Sequence, residues 1–208
     1  MAYGKMITLE GVEGAGKSTQ IINLIDYLQQ QDIPVISTRE PGGTALGEKI
    51  RSLLLIDDGN KMALECELLL IFAARAQHMQ EVIKPALESG QWVVCDRFVD
   101  ASYAYQSGGR GMDFERIKHL EQWLLAEFKP DLTLLLDVSV AAGFQRIVSR
   151  GKDRIEQESV EFFERVRNTY LQLAQSEPER IKLVDAAQPV DEVTKQIQSC
   201  LNDFIGLS

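Results

Sequence analysis

The sequence predicts an α/β fold in which a five-stranded parallel sheet lies between two layers of helices. Short apolar runs alternate with longer segments of helical periodicity along the whole chain. A glycine-rich turn sits directly between the first apolar run and the first helical segment. The 208 residues suit a single domain, 1–208, with no repeat, linker or low-complexity run.

Lys5 to Glu10 reads as a buried strand, and Gly11 to Gly16 as the turn after it. From Lys17 onward Ile21, Ile22, Leu24, Ile25 and Leu28 recur at helical spacing. Pro34 to Thr38 is the second strand, Pro41-Gly42-Gly43 a loop, and Ala45 to Leu55 a helix. Met62 to Glu88 is a long helical stretch in which Pro85 predicts a kink. Gln91 to Asp96 is the third strand; residues 98–111 mix aromatics and glycines and read as helix fragment and loop. Asp113 predicts the cap of a helix to Phe128. Leu132 to Leu136 is the fourth strand, and Ser139 caps a helix to about Ser149. A charged segment, Arg150 to Arg154, follows; then come a helix from Val160 to Leu173, a strand from Ile181 to Val184 and a closing helix from Val190 to Phe204.

A formal charge of −9 argues against nonspecific nucleic-acid binding, which needs broad basic surface. A small anion in one basic cleft remains compatible with it. Cys66, Cys95 and Cys200 are widely spaced and form no CxxC, so reduced thiols are expected. The first residues lack the pattern of a signal peptide, and no apolar run approaches the ~18–20 residues that cross a bilayer. A cytoplasmic protein, with neither membrane nor nucleic acid as partner, is the expectation.

Gly11-Val12-Glu13-Gly14-Ala15-Gly16-Lys17-Ser18 matches GxxxxGK[ST] in full, with a strand before it and a helix after it. In such a P-loop the glycines let several backbone N–H groups converge on one anion, and the helix dipole adds to them. Lys17 supplies a charge for the β- and γ-phosphates, the Ser18 hydroxyl a ligand for Mg²⁺, and Thr19 closes the ATP-binding run. The GTPase motifs DxxG after a strand and NKxD are missing, which leaves a small nucleotide or nucleoside kinase.

Bringing ATP to a second phosphate assembles roughly six negative charges, so such an enzyme needs several cleft arginines. Arg39 and Arg97 follow strands, where α/β folds place ligands, and Arg150 and Arg154 lie in a segment, about 150–157, that can close as a lid. A nucleotide 5′-phosphate is largely dianionic at neutral pH and needs no general base. His78 and His119 lack a partner motif and read as structural or exposed.

The stretches LEGVEGAGKST (9–19), TREPGGT (38–44), AARAQH (73–78), CDRF (95–98), SYAYQSGGRG (102–111), PDLTLLLD (130–137) and RGKDRIEQE (150–158) resemble, in order, the bacterial type of the thymidylate kinase family. The resemblance implies ATP and dTMP as substrates, Mg²⁺ as cofactor and a homodimer, with the apolar stretch Leu64 to Phe72 at its interface. It implies that Arg39 lies between donor and acceptor phosphates, that Asp96 is near Mg²⁺, and that Arg97 and Arg51 hold the dTMP phosphate. Arg75 would bond the thymine edge, Ser102 and Gln106 the base from the other side, while Pro41 packs on the base. Tyr105 would lie against the deoxyribose and Glu13 near its 3′-hydroxyl. Many members stack an aromatic four residues before the base-reading arginine; that position here is Ile71, with Phe72 one residue on. The assignment goes to Phe72, which could also be core. Some members carry an arginine within the P-loop where this chain has Gly14 and Ala15; Arg150, Lys152 or Arg154 would supply that charge. Glu10 is expected to order the loop. A kinase for another monophosphate or a deoxynucleoside, or a silent nucleotide-binding module, are the alternatives.

Overall fold

The structure, a computed structural model, describes residues 3–56, 59, 61–147 and 153–206. Five strands, β1 (Met6–Glu10), β2 (Val35–Arg39), β3 (Trp92–Asp96), β4 (Leu132–Asp137) and β5 (Ile181–Asp185), form one sheet in the order β2-β3-β1-β4-β5. Every pairing is parallel. Both faces are covered, which is why β1 and β4 are buried along nearly their whole length and read as mostly apolar rather than alternating runs.

The helices are α1 (Lys17–Gln30), α2 (Ala45–Leu55), α3 (Leu64–His78), α4 (Lys84–Glu88), α5 (Val99–Ser102), α6 (Phe114–Leu125), α7 (Val140–Ile147), α8 (Val160–Ser176) and α9 (Val190–Ile205). Local chemistry starts several of them. Thr44 accepts from Gly47 N–H at 2.9 Å, Asp113 from Glu115 N–H at 3.0 Å, and Ser159 from Phe162 N–H at 3.3 Å.

One stretch keeps the expected helix but widens it near Pro85, and another differs from the sequence reading. Between α3 and α4 the chain stays helical through a wide turn of π type, Met79–Ile83, directly before Pro85. Proline has no N–H to continue the i→i−4 ladder, and the widened turn absorbs the mismatch. Residues after α5 also continue as a π-type helix, Tyr103–Gly109, rather than opening into a loop. Its wide turns press against α8, so Tyr105 and Gln106 sit on a rigid element.

Register carries the function. Leu9 and Arg39 both pair with Asp96, and Asp137 pairs with Asp185, so the strands end at similar height. The loops leaving those ends form one rim, where α/β sheets hold ligands.

Candidate active site

The loop between β1 and α1 is built around backbone that side chains tolerate poorly. Gly14 has φ 73°, and a Cβ there would lie 2.0 Å from the Gly143 carbonyl oxygen on α7. Gly16, at φ 90°, precedes α1 without any side-chain cap, so the first N–H groups of the helix face the loop. The Lys17 ammonium curls back to donate to the Gly11 and Val12 carbonyls at 2.9 and 3.1 Å. Burial, and then the charge of Arg97, lower its pKa to about 8.

A cleft of about 940 Å³ opens over this loop. Glu13 to Thr19 form one side of it, and Pro41, Arg51, Arg75, Asp96, Arg97, Ser102, Tyr105, Gln106 and Arg154 face it from the rest of the rim. The expected site residues are thus gathered from β1, β2, β3, α2, α3 and the helix after α5. Four described ones take other positions. Gly11 and Val12 lie beneath the loop and hold Lys17. Arg39 is exposed beside the cleft and paired with Glu48 at 2.9 Å. Phe72 is buried in the core, where its ring packs 4.7 Å from the Arg75 guanidinium carbon, and the cleft wall belongs to Ile71 instead. On α3, Glu67, Ile71 and Arg75 succeed one another at intervals of four and share the cleft face, whereas Phe72 is turned one residue away. Arg150 and Lys152 lie outside the described residues.

Arg97 is the centre of the rim facing the loop. Its backbone takes a left-handed φ of 68°, held by its N–H on the Leu9 carbonyl and by the Cys95 thiol on its own carbonyl, both at 3.0 Å. The guanidinium donates to Glu13 at 2.9 Å and to the Tyr105 hydroxyl at 2.7 Å. The Tyr105 hydroxyl in turn bonds Glu13 at 2.8 and 2.9 Å. Burial opposes the charge of Arg97, but Tyr105 and Glu13 together raise its pKa well above the ordinary value. Arg51 donates to the Pro41 carbonyl at 3.0 Å, and burial plus the charge of Arg39 lower its pKa. Several cations thus converge on one cleft of an acidic protein, as an anionic substrate pair requires.

Glu10 sits beneath them, fully buried at the end of β1. It accepts from Phe98 N–H at 2.7 Å and from the Tyr170 hydroxyl at 2.6 Å, tying β1, the loop after β3 and α8 together. Burial and the charge of Asp100 push its pKa up to about 8 against the pull of Tyr170 and Arg97.

Arg75 is buried. It donates to Glu40 at 2.7 Å, to the Ser102 hydroxyl at 3.1 Å and to the Phe98 carbonyl at 3.1 Å. A guanidinium has five N–H groups and no acceptor, so two N–H groups remain for a ligand. His78, also buried, lies 3.0 Å from Glu40 and 2.6 Å from the Thr38 hydroxyl, bracing Glu40 from behind. This bears out its reading as a structural histidine.

Sequence reasoning missed Glu67. This buried acid accepts from Gln106, Arg110 and Arg154, the last at 2.6 Å. Arg154 also donates to the Leu54 carbonyl at 2.7 Å. It therefore sits on the cleft wall beside α2 and α3, with a buried carboxylate as its partner, and differs from the lid cation expected over the transferred phosphate. Arg146 was missed as well; it bridges the Gly14 carbonyl at 3.3 Å and the Ala186 carbonyl at 3.0 Å beside the loop. The signal for Glu67 was its spacing of eight from Arg75, two turns along one helix face. Nothing local marked Arg146.

The residues suit a magnesium ion. Among the described residues Asp96 Oδ1 is the buried side-chain oxygen without a hydrogen-bond partner, and Ser18 is exposed at the start of α1. A hard cation held by one carboxylate and one hydroxyl must complete its shell with phosphate and water oxygens.

A phosphate loop of this form, an acceptor-side arginine cluster and a parallel five-stranded sheet define a P-loop phosphotransferase with room for two nucleotides. The family model described as thymidylate kinase matches residues 9–197. Thymidylate kinase of Ruthia magnifica subsp. Calyptogena magnifica is 57% identical over 97% of this chain and 98% of its own. That of Vesicomyosocius okutanii subsp. Calyptogena okutanii is 59% identical over the same shares. The crystal structure of thymidylate kinase from Ehrlichia chaffeensis superposes with a TM-score of 0.79, at 31% identity, covering 96% of this chain and 99% of that one. The chain belongs to the thymidylate kinase family.

Proposed function

We propose that the protein transfers the γ-phosphoryl group of ATP to the 5′-phosphate of dTMP, giving ADP and dTDP for DNA synthesis. The observation that carries this reading is the pairing of Arg75 with Gln106 in the cleft that also holds the phosphate loop and Arg97. Arg75 can only donate, so it suits a base carbonyl. Gln106 donates its NH₂ to Glu67 at 3.0 Å, which leaves its carbonyl for a ring N–H. Thymine offers a carbonyl at O4 and a donor at N3; cytosine offers an amino donor at the first place. The site therefore suits a keto pyrimidine.

Glu13 to Thr19 hold the ATP phosphates, with Lys17 on the β and γ groups. Arg51 and Arg97 hold the dTMP phosphate. Glu13 meets the 3′-hydroxyl, and Tyr105 closes the space a 2′-hydroxyl would need. Pro41 and Ile71 flank the base. Mg²⁺ held by Ser18 and Asp96 would neutralise charge on the β- and γ-phosphates. Arg39, with Arg150 from the lid at about 150–157, stabilises the moving phosphoryl group; Arg154 would have to leave Glu67 to join them. The acceptor phosphate is itself the nucleophile, so no general base is assigned. The enzyme is assigned to the cytoplasm; no helix among the described residues is long and apolar enough to cross a membrane. A homodimer is supported by Leu69, exposed on the outward face of α3, and light scattering tests it.

The experiment is a coupled ADP-release assay with Mg-ATP and dTMP, dUMP, dCMP, dGMP, AMP or thymidine. Strong turnover of dTMP, weaker turnover of dUMP and little of the rest supports the reading. Turnover of a different monophosphate keeps the phosphate chemistry and discards the thymine assignment. Turnover of none, with ATP still bound, favours a silent nucleotide-binding module.

A further inference from the structure

We propose that Glu67 is a specificity-determining positioning residue: by accepting from the Gln106 amide it sets which end of that amide meets the base, and so makes the site read a keto rather than an amino pyrimidine. The inference rests on the assignment of Gln106 to the base in the proposed function.

A glutamine amide has two faces of opposite meaning, an NH₂ that donates and a carbonyl that accepts. Left free, it could turn over and satisfy either thymine or cytosine. Glu67 removes that freedom. One of its oxygens accepts from Gln106 Nε2 at 3.0 Å and from Arg110 Nε at 3.1 Å. The other accepts from Arg110 at 3.2 Å and from Arg154 at 2.6 Å. The carboxylate is buried, as is Gln106. Burial alone would favour the neutral acid, but Gln106, Arg110 and Arg154 outweigh it and hold the pKa below the ordinary carboxylate range. An ionised carboxylate has no proton to give, so the amide can present it only with NH₂. Turning the amide over would set two acceptors against each other in a buried place, which costs the desolvation of both. Gln106 Oε1 is therefore the end offered to the ligand.

Arg110 and Arg154 have a different part. They neutralise the buried charge and fix the carboxylate plane. Among the described residues Gln106 Nε2 donates to Glu67, and Arg110 and Arg154 bond the carboxylate rather than the amide, so the choice of its end rests with Glu67.

Glu67→Gln tests this, because it keeps shape while supplying an NH₂ that can donate to a turned Gln106. The measurement is kcat/KM for dTMP and for dCMP, with thermal melting as the check on folding. The expected result is a fall of about tenfold or more in the dTMP:dCMP ratio, with KM for ATP unchanged. In Gln106→Leu the ratio falls too, and adding Glu67→Gln to Gln106→Leu changes it no further. A merely structural Glu67 would lower both substrates alike and leave the ratio intact; that result overturns the proposal, as does a ratio effect that persists without Gln106. A second measurement needs no variant: N3-methyl-dTMP lacks the proton that Gln106 Oε1 accepts, so the wild-type enzyme should lose about 100-fold or more on it. Equal turnover of the methylated nucleotide overturns the assignment of the amide. Wild-type enzyme that ignores dTMP altogether overturns the proposed function, which distinguishes the two failures.

Discussion

The guanidinium of Arg97 lies 2.9 Å from the carboxylate of Glu13, so the rim after β3 is ionically joined to the glycine-rich loop. Tyr105 completes a triangle by touching both. A substrate phosphate entering this corner finds a cation whose direction is already fixed, and a fixed donor loses less entropy on binding than a free one.

Arg97→Lys keeps the positive charge and the left-handed backbone of a non-glycine residue but loses the planar fork. We expect kcat/KM for dTMP to fall on the order of 10²–10³, with KM for ATP changed much less. Steady-state kinetics in both substrates measures this; an equal loss in both would assign Arg97 to the phosphate loop alone.

Arg39 is exposed and, among the described residues, pairs with Glu48 on the surface of α2. Removing it should leave the fold and dTMP binding largely intact. Arg39→Ala is expected to retain dTMP affinity within about tenfold while kcat drops by 10³ or so, in the range for a transition-state arginine. Calorimetric titration of dTMP beside turnover assays separates the two effects, and a near wild-type kcat would remove Arg39 from the chemistry.

Asp96→Asn should reveal the cation. Because Asp96 Oδ1 has no hydrogen-bond partner among the described residues, the substitution should leave the melting temperature nearly unchanged. The Mg²⁺ concentration giving half-maximal rate should rise about tenfold or more. Activity titrated against free Mg²⁺ gives the answer, and an unshifted requirement would place the metal elsewhere.

Glu10 gives a pH signature in stability. Its pKa rises from about 4.5 to about 8 on folding, so between those values the folded chain binds more protons than the unfolded one. Its contribution is complete below about pH 4.5 and is lost as pH rises through 8. Glu10→Gln keeps a carbonyl oxygen to accept from Phe98 N–H and turns an NH₂ that donates toward the Tyr170 hydroxyl, and it should flatten the decline in melting temperature across that window. A variant with the wild-type slope would show that another group titrates.

Much of this was legible in the residues, for reasons that differ by element. The sheet could be read because strands buried on both faces are short apolar runs, and β1 and β4 are the plainest. The phosphate loop is contiguous, so its chemistry is written in one stretch. The helix at Tyr103–Gly109 was hidden because glycines and aromatics give no helical periodicity, and its stability comes from packing on α8. Ile71 and Phe72 could not be separated by spacing, since residues three and four before Arg75 fall on nearly the same side of a helix; only the packing of the neighbouring core decides. The tie between Arg154 and Glu67 spans 87 positions, and no local pattern announces such a pair.

The contact of Gly14 with Gly143 has a consequence for how this chain could change. The tip of the phosphate loop and the backbone of α7 touch with no side chain between them; a Cβ on Gly143 would itself meet the Glu13 carbonyl at 2.4 Å. An arginine grafted onto Gly14 would therefore have to push a helix aside, and Ala15 beside it is buried. Placing a cation at Gly14 is thus closed to a single substitution. An engineer, or a lineage, would need to rebuild α7 in the same step.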